Sequence, residues 1–117
     1  MNPRNKVARG RFALLEALKN RDKTWNALAP RYGVSNPNPP WKSSLIAMCD
    51  CLDAGGALPV LDRRHAEDEL ADSVYSDIPE PERQLLALAH TMLSRGLITE
   101  SDLANRMRAV RARLEAV

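Results

Sequence analysis

Hydrophobic residues recur along the chain with the three- and four-residue spacing of helices, and the breaks between these stretches hold Gly, Pro or Thr. No stretch is typical of a β-strand, so the pattern predicts an all-α fold with no sheet. About six helices are expected, over residues 7–19, 25–29, 41–54, 59–70, 82–95 and from residue 100 into the arginine-rich C-terminal stretch.

The first part of the chain combines a basic helix with a proline-rich connection. An apolar stripe over residues 12–18 marks the first helix, and Thr24 is in position to cap a short second helix that ends before Pro30. The stretch "VSNPNPPW" then places three prolines within four residues, which predicts a semi-rigid extended connection. We therefore divide the chain into a basic N-terminal helical segment with its connection, residues 1–38, and a helical domain, residues 39–117.

The helical domain contains an internal repeat with a shift of 40 residues. Each unit consists of a helix, a glycine, two apolar residues and the start of another helix. The matched positions are Leu45 with Leu85, Met48 with Leu88, Cys49 with Ala89, Leu52 with Met92, and Gly56 with Gly96. Two units are too few for a solenoid that is stabilised by stacking, so we predict two helical hairpins packed against each other.

Composition agrees with a soluble helical domain. Hydrophobic residues make up 44% of the chain but aromatic residues only 4%, so the core is built from Leu, Ala, Val and Met. No apolar run approaches the roughly 20 residues of a membrane span, and no signal-peptide pattern precedes the first helix. We expect a cytoplasmic protein without a membrane association.

The net charge is only +2, but positive and negative residues are concentrated in different parts of the sequence. Residues 1–31 hold eight Lys or Arg and two Asp or Glu, whereas residues 50–82 hold two Arg and ten Asp or Glu. This layout is typical of a subunit with differently charged faces that bind different partners. It is less typical of a general nucleic-acid-binding protein. A helical nucleic-acid-binding regulator that uses residues 4–31 stays open as an alternative, although the low aromatic content disfavours stacking on bases.

No catalytic or metal-binding set stands out from the residues alone. There is no glycine-rich phosphate loop and no Ser/His/Asp grouping, and His65 and His90 are isolated in the sequence. Cys49 and Cys51 lie two residues apart on a predicted helix, so they point to different faces. We expect buried or half-buried free thiols in a reducing compartment, and no metal or cofactor on this chain.

Two adjacent arginines open the helix that follows Gly56. Arg63 and Arg64 lie on the predicted first turn, where the helix dipole disfavours positive charge. The matching helix start in the second repeat has Ala104 opposite Arg64, so the hairpin does not need the arginines to fold. They are therefore candidates for contact with a partner.

Three patches of sequence carry a resemblance to a known family. "PPWKSSLIAMCDCL", "GALPVLDRR" and "PEPERQLLALAHTMLSRGLITESDL" resemble, in this order and at the family's spacing, the helical half of the beta subunit of nitrile hydratases. The related subunit of thiocyanate hydrolase and the nitrile hydratase accessory proteins share this unit. The resemblance covers roughly residues 39–110.

The resemblance implies that the catalytic metal, Co(III) or Fe(III), is held by a partner alpha-type subunit. Its ligands there are a Cys-x-x-Cys-Ser-Cys claw with oxidised cysteines, which Cys49-Asp50-Cys51 does not match. The beta subunit closes the cleft and supplies arginines that hydrogen-bond to the claw oxygens. Counting from Gly56, the matching residue is Arg64, with Arg63 beside it, and a guanidinium fork suits paired oxyanions.

Other positions match the family less closely. The family's tyrosine pair is replaced here by Glu80-Pro81, and Tyr75 is a candidate stand-in for a nearby tyrosine, displaced by one position. Trp41 and Arg83, in the matching patches, are candidate partner contacts. The SH3-like barrel of a full beta subunit is expected as a separate polypeptide, and the family's N-terminal arm is not recognisable in residues 1–38.

We therefore predict a beta-type subunit of a hetero-oligomeric nitrile hydratase, which hydrates a nitrile to an amide and binds no metal itself. The alternative within the same family is an accessory protein that binds the alpha-type subunit while its metal is loaded.

Overall fold

The computed structural model describes residues 11–21, 24–35 and 38–116, and these residues form helices joined by turns with no β-strand. The helices are α1 (Ala13–Lys19), α2 (Trp25–Leu28), a 3-10 helix (Ala29–Tyr32), α3 (Lys42–Ala54), α4 (Val60–Ala71), α5 (Glu82–Ser94) and α6 (Glu100–Glu115). The all-α prediction with about six helices is confirmed. The predicted start of the first helix at residue 7 lies outside the described residues. None of the described helices is long and apolar enough to cross a bilayer.

The 40-residue repeat reappears in the helix boundaries. α3 and α5 start at residues 42 and 82, and α4 and α6 start at residues 60 and 100. After α3 and α5, Gly56 and Gly96 adopt the left-handed backbone, with φ of 77° and 72°. A side chain at either position would be strained in this conformation, which explains the glycine in both units. The repeat of helix, glycine turn and helix start is thus confirmed in the helix boundaries.

The helix starts of the two hairpins are capped in different ways. Before α6, the Thr99 side chain accepts a hydrogen bond from the Asp102 N–H at 3.1 Å, as the sequence predicts. Pro59, at the equivalent position before α4, has no polar side chain to do this. Asp53 at the end of α3 replaces it, because its Oδ1 accepts from the Val60 N–H at 2.8 Å.

The two short N-terminal helices are capped by glutamates from the second hairpin. The Leu14 N–H in α1 donates to Oε2 of Glu100 at 2.9 Å, and the Trp25 N–H in α2 donates to the Glu82 carboxylate at 3.3 Å. Thr24 is the N-cap residue of α2, as predicted, but its hydroxyl donates to the side chain of Asn26 and accepts no backbone N–H. The α-helix does end before Pro30, and a 3-10 helix carries the chain through it.

α5 is the central helix of the fold. One hydrophobic cluster joins it to α1, α4 and the turn after α4, and consists of Leu15, Leu70, Val74, Tyr75, Leu86, Ala87 and Leu93. A second cluster joins it to α3 and the following loop, and consists of Leu45, Cys49, Leu58 and Leu88. Because the other helices pack around it, α5 has buried residues on most of its circumference.

Candidate functional site

The arginine pair lies on α4 at the fourth and fifth helical residues. α4 starts at Val60, so Arg63 and Arg64 begin the second turn and not the first turn as predicted. The first turn holds Asp62 instead, which has the charge that a helix N-terminus favours. The dipole acts mainly within the first turn, so it opposes the two arginines less than the sequence indicated.

Arg63 is held within the chain. Its Nη1 lies 2.7 Å from Oε1 of Glu67, one turn further along α4, and only 13% of its side chain is exposed. Its Nε is buried and has no hydrogen-bond partner in the part of the chain that the structure describes. The guanidinium also acts electrostatically on the thiol of Cys49 in α3. Arg63 is therefore paired within α4 and mostly shielded from solvent.

Arg64 is exposed to solvent. Successive residues of a helix are rotated by about 100°, so Arg64 cannot share the direction of Arg63. Within the described ranges, its guanidinium makes no hydrogen bond and no ion pair. The structure thus separates the two arginines into one residue that packs inside the chain and one that is free to meet a partner.

The start of α4 is fixed against both neighbouring helices. Asp62 Oδ2 lies 3.1 Å from Nη2 of Arg95 at the end of α5, and this pair is mostly shielded from solvent. The bond from Val60 to Asp53 attaches the same turn to α3. These contacts fix the backbone position from which Arg64 projects.

The two cysteines lie on different faces of α3, as predicted. Cys49 is buried and Cys51 is exposed, so the prediction of buried or half-buried thiols is confirmed for Cys49 and wrong for Cys51. Burial raises the pKa of the Cys49 thiol; Glu67 and Asp50 raise this pKa further, and Arg63 opposes the shift. No group of three or more His, Cys, Asp or Glu side chains that could hold a metal occurs among the described residues.

Tyr75 is part of the hydrophobic core. Its hydroxyl lies 2.9 Å from Nδ1 of His90, and both side chains are buried. The ring of Phe12 packs edge-on against His90 with the centroids 4.9 Å apart. Burial raises the pKa of Tyr75 above its ordinary value, and the carboxylate of Glu16 adds to this shift. Tyr75 therefore does not share the exposed surface of Arg64, and its role as a family tyrosine stays a prediction.

The two candidate partner contacts are each half-buried. Trp41 precedes α3 and packs against the cluster around Leu45 and Leu88. Arg83 lies in the first turn of α5, and its Nε and Nη2 are each 3.1 Å from Oε1 of Glu80. Both side chains leave part of their surface accessible, and their contact with a partner stays a prediction.

A family model described as the nitrile hydratase beta subunit, N-terminal, matches residues 34–116. The chain belongs to this family. The match includes both hairpins and all five candidate site residues, and it confirms the resemblance drawn from the sequence. Comparisons with curated proteins and with solved structures gave no match.

Two residues of this nitrile hydratase beta-type domain make contacts in the structure that were not predicted from the sequence. Glu67 fixes Arg63, and the four-residue spacing between them was a readable signal for such a pair. His90 binds Tyr75 from 15 residues away, and no local pattern indicates that contact. The isolated histidine of the sequence is therefore a core residue with a defined partner.

Replacing Tyr75 with Phe tests whether this residue serves stability. We expect the free energy of unfolding to fall by about 1–3 kcal/mol, because the substitution removes a buried hydrogen bond and leaves the rest of the ring in place. Urea unfolding followed by circular dichroism measures the change. The other tyrosine of the chain is the control: Tyr32 is exposed, so Tyr32→Phe should change stability by less than about 0.5 kcal/mol. Equal effects of the two variants would contradict the assignment.

Proposed function

We propose that the chain acts as a beta-type subunit of a hetero-oligomeric nitrile hydratase, which hydrates a nitrile to an amide. The family match over residues 34–116 supports a beta-type subunit. The exposure of Arg64 on α4 is the observation that carries its role, since a residue that contacts a partner must be free in the isolated chain. The proposed partner is a metal-binding alpha-type subunit, with a separate SH3-like barrel subunit, in the cytoplasm.

In this proposal the guanidinium of Arg64 donates hydrogen bonds to the oxygens of the partner's oxidised cysteine ligands. Two N–H groups in a planar fork orient paired oxygens better than a single ammonium does, and the group stays charged when the interface excludes water. In this proposal the metal ion, Co(III) or Fe(III), belongs to the partner, because Cys49-Asp50-Cys51 does not match the cysteine claw of the family. When bound there, it supplies the Lewis acid that activates water or the nitrile.

Arg63 has a supporting role in the proposal. Its contact with Glu67 holds it along α4 and mostly buried, so it cannot reach a partner without giving up that contact. The Glu67 carboxylate offsets its positive charge, so in this proposal Arg63 acts by supporting α4 and not by binding the anionic ligand set. Arg64 makes the direct contact.

Co-expression with an alpha-type subunit that carries the Cys-x-x-Cys-Ser-Cys claw tests the proposal. We expect the two chains to elute together from a size-exclusion column in fixed stoichiometry, before and after the metal is loaded. The complex should convert a nitrile to its amide. A complex that forms only with the metal-free alpha-type subunit and separates after loading would contradict a permanent subunit.

That contrary outcome corresponds to the second candidate, an accessory protein for metal loading. One observation favours it: the hydroxyl groups of the family's tyrosine pair are missing at Glu80-Pro81, and the hydroxyl of Tyr75 is directed into the core. A chain that offers fewer hydroxyl groups to the partner's metal site contributes less to catalysis, which favours a role in transient binding.

A further inference from the structure

The end of α6 is the counterpart, in the second hairpin, of a buried part of the first hairpin. With the shift of 40 residues, Val110 and Leu114 are equivalent to Leu70 and Val74. Leu70 and Val74 are 0% and 4% exposed and belong to the cluster that joins α1, α4 and α5. Leu114 is 68% exposed, and among the described residues of α6 only Leu103 packs against a hydrophobic cluster. The second hairpin thus keeps apolar residues at these positions but lacks the packing.

The first hairpin shows which kind of element packs at these positions. α1 contributes Leu15 to the cluster that holds Leu70 and Val74. Nζ of Lys19, in the last turn of α1, donates to the Val74 carbonyl at 2.9 Å and lies 3.5 Å from Oδ1 of Asp77. The packing element is therefore a short amphipathic helix that combines apolar contact with opposite charge.

The charge at these positions is reversed between the two hairpins. Residues 66–75 hold four Asp or Glu and no Lys or Arg, and residues 11–21, which include α1, hold three Lys or Arg and one Glu. The equivalent residues 106–115 hold four Arg and one Glu. Arg111 is paired with Glu115 at 2.8 Å, whereas Arg113 makes no ion pair with a described residue. A helix that packs on the end of α6 should therefore be acidic where α1 is basic.

The arginines lie on both sides of the apolar residues. Val110 and Leu114 are four residues apart and so face the same side of α6; we call them the α6 stripe. By helical rotation, Arg111 and Arg113 lie about 80° to either side of this stripe. A narrow apolar stripe with charged flanks is typical of a helix that packs on one other helix.

Two other occupants fit the α6 stripe less well. A second copy of α6 would place arginines opposite arginines, and like charges at the flanks disfavour pairing. A helix that lies on a membrane has a wider apolar face that includes Trp or Phe, and α6 contains no aromatic residue.

We propose that the α6 stripe binds an acidic amphipathic helix of a partner protein, in the way that α1 packs on the first hairpin within the chain. Apolar side chains of that helix remove Leu114 from water, and its carboxylates pair with the guanidinium groups of Arg111 and Arg113. The stripe is on α6, whereas the arginine of the proposed enzyme is on α4. The proposal therefore does not depend on the nitrile hydratase activity.

Nuclear magnetic resonance titration of the ¹⁵N-labelled full chain tests the proposal with two helical peptides of three heptads. The acidic peptide repeats Glu-Ile-Ala-Ala-Leu-Glu-Gln, and the basic peptide repeats Lys-Ile-Ala-Ala-Leu-Lys-Gln. The acidic peptide should shift the amide signals of Val110 and Leu114 saturably below about 1 mM. It should bind at least about tenfold more tightly than the basic peptide, because only its charges attract the arginines. No saturable shift, or equal affinity for the two peptides, would overturn the proposal.

Two leucines of nearly equal exposure give a matched pair of variants. Leu114 is 68% exposed and Leu61 on α4 is 66% exposed, so truncation of either should leave the fold intact. Leu114→Ala should weaken the acidic peptide about tenfold, because it removes apolar surface that the peptide would bury. Leu61→Ala should change the affinity by less than about twofold. Equal effects of the two variants would contradict binding at the α6 stripe.

Charge reversal on two sides of α6 separates a local contact from attraction to net charge. Arg113→Glu, beside the stripe, should weaken the acidic peptide about tenfold. Arg108 is rotated by about 140° from the stripe, so Arg108→Glu should weaken it by less than about threefold. If both variants weaken it equally, the peptide follows net charge alone and the proposal is wrong.

The same signals identify any other occupant. If the Val110 and Leu114 signals move with protein concentration in the absence of peptide, the occupant is a second copy of the chain. If they respond more strongly to phosphatidylglycerol vesicles or to a DNA duplex than to the acidic peptide, the stripe binds lipid or nucleic acid. Each of these results would overturn the proposal of an acidic helix.

Discussion

Arg64→Ala is expected to lower nitrile hydration by the assembled enzyme about 10- to 100-fold, the usual effect of removing a group that orients metal ligands. The substitution removes a guanidinium that has no partner inside the described part of the chain, so the fold loses nothing. Activity should fall far more than assembly. The measurement is the rate of amide formation per complex, with the amount of complex determined by size-exclusion chromatography.

Two further variants separate the effect of the Arg64 side chain from that of charge alone. Arg64→Lys keeps the charge but removes the planar fork, so it should recover only part of the lost activity. Arg106→Ala removes an exposed arginine from α6 and should leave both activity and assembly unchanged. Full activity in Arg64→Ala would contradict the proposed contact, and an equal loss of assembly would make Arg64 a binding residue without a specific role at the metal.

The helices and their ends could be predicted from the sequence because local chemistry determines them. Gly56 and Gly96 end α3 and α5 in the left-handed backbone that glycine adopts readily. Thr99 caps α6 through its hydroxyl. Each of these features depends on a few neighbouring residues, so a pattern of residue types is enough to indicate it.

The side of each helix that enters the core could not be predicted from the repeat. Leu45 and Leu85 are equivalent in the repeat, yet they are 3% and 40% exposed, and the equivalent Met48 and Leu88 are 46% and 2% exposed. The reason is tertiary: α5 lies between the other helices, whereas α3 packs on one side only. Residues at equivalent positions of the two repeat units therefore have different surroundings in the fold.

The arginine pair illustrates the same limit at the candidate site. The sequence indicated that Arg63 and Arg64 are not needed by the hairpin, and the resemblance favoured Arg64. Whether either side chain is free depends on which side of α4 packs against the rest of the chain, which no local pattern of charges determines. The structure places Arg63 on the packed side with Glu67 and leaves Arg64 in solvent.

Leu88→Ala is expected to be among the most destabilising single substitutions in the core. Leu88 lies on α5 and packs with Leu45, Cys49 and Leu58, so it attaches the first hairpin to the central helix. Truncation of a fully buried leucine removes its apolar contacts and leaves a cavity, which costs about 2–5 kcal/mol. This is a large part of the roughly 5–15 kcal/mol that stabilises a typical domain. Urea unfolding measures the loss.

Leu85→Ala on the same helix is the matched control. Both substitutions replace a leucine within α5, so the change in helix propensity is similar and largely cancels in the comparison. Leu85 is partly exposed and creates little cavity when truncated, so its cost should not exceed about 1 kcal/mol. If the two variants lose equal stability, the first hairpin does not depend on Leu88, and the central position of α5 in the core is wrong. If Leu88→Ala also lowers the slope of the urea transition, α3 unfolds separately from the rest of the chain.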